Sequence, residues 1–144
     1  GGGSRLVDGV SQVTALDGRG ERFIGKDEVM IIDESYNANP ESMFAALINL
    51  SSIKYGRKVA ILGEMKEIGP ISDKSHSKIT QVAREAAEVV VGVGESFRDC
   101  KLDKWYPSVR ELKGEIGDIV KKGDVVLFKG SRSNTLEEAI KLLK

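Results

Sequence analysis

The 144-residue chain contains one cysteine, Cys100, and one histidine, His76. A single thiol closes no internal disulfide, and the pair cannot assemble the Cys/His cluster of a structural zinc site. Charge of one sign is lacking too: 22 basic residues balance 22 acidic ones, and the cations are scattered among acids. A global field able to hold a polyanion is therefore absent, which argues against nucleic acid as a main partner. No apolar run approaches the roughly 18 residues of a membrane span, and no charged-then-apolar start resembles a signal peptide. The chain reads as cytoplasmic, monomeric and without membrane insertion. Neither GxxxxGK[ST] nor GxGxxG is present, so neither a Walker A loop nor a dinucleotide fingerprint is encoded.

What is present is a regular alternation. Val29–Ile32, Val59–Leu62, Val89–Val91 and Val125–Phe128 are short, nearly continuous apolar runs, the pattern of strands covered on both faces. A weaker strand is expected at Lys104–Tyr106. Between them lie segments of helical period: Pro40 to about Ser51 with Asn39 as N-cap, Ser72 or Asp73 to about Ala87, about Ser108 to Lys121, and about Asn134 to the end. Strands alternating with helices across short connections predict a single three-layer α/β/α domain, Rossmann-like, with a doubly wound, mostly parallel sheet. Residues 1–4 read as a linker or expression scar, residues 5–26 as a lead-in and interdomain hinge segment, and residues 27–144 as the domain proper.

In such sheets ligands collect beyond the carboxyl ends of the strands. After the first run comes Asp33-Glu34-Ser35-Tyr36-Asn37-Ala38-Asn39-Pro40, where carboxylates suit ribose hydroxyls, an aromatic ring suits a base, and amides donate and accept. A plain strand-to-helix turn capped by Asn39 accounts for the same residues. After the second run, the glycines of Gly63 to Gly69 permit close approach of a ligand or simply punctuate a loop. After the fourth run, Lys129-Gly130-Ser131-Arg132-Ser133-Asn134 offers two cations, hydroxyls and N–H groups at a helix start, a receptor for a carboxylate or phosphate or else a capped loop. Gly92-Val93-Gly94 reads as a turn, His76 as a helix-surface or capping residue, and Cys100 as an incidental thiol. Nothing in this set breaks a bond unaided, so catalytic residues within the chain are expected to be none, and metal ligands none.

Taken in order, Gly18-Arg19, Asp33 to Pro40 with Ser42-Met43, Gly63 to Gly69 with His76, and Lys129 to Arg132 followed by Leu136-Glu137-Glu138 resemble the C-terminal domain of the Mur ligases. The resemblance implies an ATP-dependent, amide-forming ligase of peptidoglycan synthesis that adds D-alanyl-D-alanine to UDP-N-acetylmuramoyl-tripeptide. In the family a carboxylate is phosphorylated by ATP and the amino group attacks the acyl phosphate. Arg19 is thereby implied to meet ATP phosphates, Asp33 or Glu34 to accept from ribose, and Tyr36, Asn37 and Asn39 to line the nucleotide pocket. Lys129, Ser131 and Arg132 are implied to face the dipeptide.

The family's Walker A lysine, its Mg2+ ligands and its UDP-binding domain belong to segments upstream of this one. The resemblance therefore implies an excised domain, inactive alone, whose partners are the central ATPase domain and the N-terminal UDP-binding domain. The competing expectation is a stand-alone α/β nucleotide- or anion-binding module without ligase activity.

Overall fold

The computed structural model describes residues 21–66 and 72–144. In chain order these form β1 (Glu21–Ile24), β2 (Met30–Glu34), α1 (Pro40–Ser52), β3 (Lys58–Gly63), α2 (Ser72–Ala86), β4 (Val89–Val93), β5 (Lys104–Tyr106), α3 (Val109–Ile119), β6 (Val125–Lys129) and α4 (Glu137–Ile140). Short 3₁₀ turns occupy Lys26–Glu28, Glu95–Phe97, Arg132–Asn134 and Lys141–Leu143. The strands make one sheet in the order β1-β2-β6-β3-β4-β5. Only β1 runs antiparallel to its neighbour; the pairings β2–β6, β6–β3, β3–β4 and β4–β5 are parallel.

The apolar runs are continuous because both faces of the sheet are covered. Side chains alternate along each strand, so Ile32, Ala60, Leu62, Leu127 and Val90 pack with Met43, Leu47 and Leu50 of α1 and with Ile79 and Ala83 of α2. Their neighbours Ile31, Val59, Ile61, Val126 and Phe128 pack with Leu112 and Ile116 of α3 and with Ala139 and Ile140 of α4. Helices on both faces of a mostly parallel sheet give the doubly wound α/β architecture that the alternation predicts. Because β6 enters between β2 and β3 and sends its helix to the opposite face, the carboxyl ends of these three strands form the topological switch point.

The start of α1 follows directly from its sequence. Asn39 Oδ1 accepts from the Ser42 N–H at 2.8 Å while Ser42 Oγ accepts from the Asn39 N–H at 3.2 Å, and Pro40 occupies the first turn, where no N–H is needed. In α3, Ser108 plays the same part through a hydrogen bond from Arg110 N–H.

Four expectations need correction. Residues 21–24, read as part of a lead-in, are a strand; its alternation is weak because it lies at the sheet edge, mostly exposed, with Phe23 alone packing on the core. Gly92 lies inside β4, where a Cβ would meet Phe97 and Leu102 at 2.8 Å; only Gly94, at φ 114°, makes the turn. His76 is fully buried, contrary to its reading as a surface or capping residue. The expected final helix is broken at Thr135, which adopts φ 50°, leaving a 3₁₀ turn and the four-residue α4.

Candidate functional site

At the carboxyl end of β2 the two acids diverge, because successive strand residues point to opposite faces. Glu34 is in register with Lys129 of β6, whose other register partner is Leu62, so both lie on the α1/α2 side. Asp33 is in register with Phe128 and lies on the α3/α4 side. The Asp33 carboxylate accepts through Oδ1 from the Ser35 N–H at 3.0 Å and the Ser35 hydroxyl at 2.6 Å, which folds the chain into a turn. Among the described residues no hydrogen bond reaches its Oδ2, leaving a nearly buried acceptor able to take a ligand hydroxyl.

Tyr36 follows, 41% exposed. The charge of Asp33 foremost, then burial and the charges of Glu21 and Glu137, raise its phenol above the ordinary range, and Arg132 partly opposes them. Asn37 is exposed beside it, while Asn39 spends its side-chain oxygen on the α1 cap.

The β6 end is built differently. Lys129 is buried, its side chain 5% exposed, and its Nζ lies 3.3 Å from Glu34 Oε1. The Gly130 N–H donates to the Glu34 carbonyl at 3.4 Å, continuing the join between β2 and β6 past the last strand residue. Beyond it, Asn134 Oδ1 accepts from the Ser131 N–H at 2.8 Å and from Ser131 Oγ at 3.0 Å. Arg132 is exposed and makes no ion pair among the described residues.

The third wall is the end of β3. A Cβ on Gly63 would lie 2.4 Å from Asn134 Oδ1, so the glycine is what lets the loop after β6 close against β3. Glu64 accepts from the Ser96 N–H at 2.8 Å and from Lys66 Nζ at 2.9 Å. Burial pushes its carboxyl up, but the hydrogen bonds from Ser96 and Lys66 outweigh this and hold it below the ordinary carboxylate range. Behind it, His76 Nε2 accepts from the Met65 N–H at 2.9 Å and Nδ1–H donates to the Ser72 carbonyl at 2.7 Å, with the ring edge-on to Phe97.

Acids, amides and a phenol after β2 thus face a cationic, hydroxyl-bearing loop after β6, at the sheet's switch point. Against known proteins, residues 18–132 match the family described as Mur ligase, glutamate ligase domain. The chain belongs to the Mur ligase family. It is 32% identical over 124 residues to the UDP-N-acetylmuramoyl-tripeptide–D-alanyl-D-alanine ligase of Bacillus subtilis, covering 77% of this chain and 27% of that protein. With the ligase of the same name from Escherichia coli it shares 29% identity over 150 residues, 94% of this chain and 31% of that one. The solved MurF ligase of Thermotoga maritima in complex with ADP superposes with a TM-score of 0.77 at 27% identity, over 90% of this chain and 31% of that one. MurF of Acinetobacter baumannii gives the same TM-score at 26% identity, covering 96% and 32%. The chain therefore spans about a third of the length of these relatives and corresponds to the Mur ligase C-terminal domain.

Within this Mur ligase domain the residues named from sequence fall into one place. Asp33, Glu34, Tyr36, Asn37 and Asn39 occupy the β2 end, Lys129, Ser131 and Arg132 the β6 end, and the Glu34–Lys129 pair bridges the two sets. Arg19 lies outside the described residues, as do Glu67 to Gly69 of the glycine-bearing loop. Three contributors lay within the segments named from sequence but were given no role of their own. Ser35 had a local signal, its position two residues after an acid; Asn134 had another, the Ser-x-x-Asn capping spacing. Glu64 had none, because its Ser96 partner lies 32 positions away.

Proposed function

We propose that this chain is the C-terminal domain of an ATP-dependent ligase that joins D-alanyl-D-alanine to UDP-N-acetylmuramoyl-tripeptide in peptidoglycan synthesis. What carries this reading is the juxtaposition of the Asp33–Asn39 segment and the Lys129–Arg132 segment at adjacent strand ends, in a chain 32% identical to a ligase of that name. ATP supplies the phosphoryl group that activates the tripeptide carboxylate. The Oδ2 of Asp33, without a hydrogen bond among the described residues, and the bridged carboxylate of Glu34 are acceptors suited to ribose hydroxyls, and Tyr36, Asn37 and Asn39 flank them; Arg19 is assigned to the phosphates. Lys129, Ser131 and Arg132 form the dipeptide side, where a carboxylate calls for cationic and N–H donors. The Walker A lysine, the Mg2+ ligands and the UDP-binding residues are assigned to the preceding central and N-terminal domains.

The test is ADP release by the ligase containing this chain and those domains, supplied with UDP-N-acetylmuramoyl-tripeptide, Mg2+ and ATP. Release that depends on D-alanyl-D-alanine, and not on D-glutamate, is expected. Release driven by another amine and indifferent to the dipeptide would overturn the reading.

A further inference from the structure

Of the three side chains on the dipeptide side, two have their polar groups committed inside the protein. The Lys129 ammonium is buried and balanced by Glu34, and a ligand carboxylate would have to displace that partner to reach it. Ser131 donates both its N–H and its hydroxyl to one atom, Asn134 Oδ1. That oxygen also sits where Cβ atoms on Gly63 and on Gly130 would fall, at 2.4 and 2.9 Å, so the Asn134 carboxamide is seated against the ends of both β3 and β6. The Thr135 hydroxyl donates to the Asn134 carbonyl at 2.7 Å, and the left-handed Thr135 turns the chain away into α4. Arg132, between these fixed points, keeps its guanidinium exposed.

We infer that Asn134 is a positioning residue: its carboxamide clamps Ser131 against the β3–β6 crevice and thereby fixes where Arg132 presents its guanidinium to the carboxylate of the incoming amino substrate. The identity of that substrate rests on the ligase reading above, but the clamp itself does not, and the two are tested separately. A backbone N–H held by a side-chain acceptor exchanges slowly, and a displaced binding loop weakens binding before it slows chemistry.

Hydrogen exchange in this chain reads the clamp. The Ser131 amide is expected to be protected in the unsubstituted chain and in Asn134→Asp, which keeps the acceptor oxygen, and to exchange freely in Asn134→Ala and in Gly63→Ala, whose new Cβ evicts the carboxamide. Protection that survives Asn134→Ala overturns the clamp, whatever the enzyme does. In the full ligase, Asn134→Ala is expected to raise KM for the dipeptide about tenfold, the loss of roughly one well-made hydrogen bond, with KM for ATP unchanged and Asn134→Asp restoring most of the affinity. Equal losses toward ATP and dipeptide, or none, would overturn the positioning role. Should the unsubstituted ligase ignore the dipeptide, the ligase reading falls while the exchange result still decides the clamp.

Discussion

Asp124 and His76 are buried polar side chains bound to backbone groups, and that sets what their removal costs. Asp124, buried, accepts from Arg57 Nε at 3.1 Å, from Arg57 Nη2 at 2.7 Å and from the Lys121 N–H at 2.7 Å, while Arg57 Nη2 also donates to the Ile119 carbonyl. The side-chain hydrogen bond to Asp124 raises the guanidinium above its already high value despite partial burial. Asp124→Ala strips three donors of their acceptor and is expected to destabilise the domain by about 2–3 kcal/mol in urea unfolding. His76→Leu keeps the bulk against Phe97 but leaves the Met65 N–H unpaired; a loss of about 2 kcal/mol is expected, with faster exchange at Met65. A His76→Leu chain as stable as the original would show that water or a shifted backbone replaces the ring.

Between elements, Glu64 makes a clasp near the site, tying the end of β3 to the turn after β4. Gly94 leaves room for it: a Cβ there would lie 2.8 Å from Glu64 Cβ, and its φ of 114° excludes other residues independently. Because the folded carboxyl titrates below its unfolded counterpart, this clasp contributes stability that is fully present above the unfolded value of about 4.3 and is lost as pH falls through the lower folded one. Glu64→Gln is therefore expected to lower stability at neutral pH and to flatten the acid limb of the stability profile; an unchanged acid limb would mean that other carboxylates carry it. Elements covered on both sides, such as Val59–Leu62 and Val125–Phe128, were legible in the sequence because burial of both faces leaves an unbroken apolar run. So was α1, whose Asn-Pro-x-Ser start is a local signal. What escaped was the edge strand β1, held by pairing with β2 and by Phe23 alone on the core; the burial of His76, set by Met65 and Phe97; and the clasp of Glu64 to Ser96. The segments after β2 and β6 were legible as strand-end loops, but their contacts with each other were not. No sequence pattern says that Lys129 meets Glu34.

For the whole molecule, the sheet has two unlike ends. Arg57 and Asp124 close the amino ends of β3 and β6, while the Asp33–Asn39 and Lys129–Asn134 segments lie at the carboxyl ends of β2 and β6, where the winding reverses. The pairing of Glu21–Ile24 with Met30–Asp33 makes that segment part of the sheet, and not of the hinge read over residues 5–26. The most direct measurement of the central claim is an amide chemical-shift titration of this chain with Mg2+-ATP and, separately, with D-alanyl-D-alanine. Perturbations confined to Asp33–Asn39 for the nucleotide and to Lys129–Asn134 for the dipeptide are predicted. Perturbations centred on Arg57 and Asp124, at the opposite end of the sheet, would contradict it.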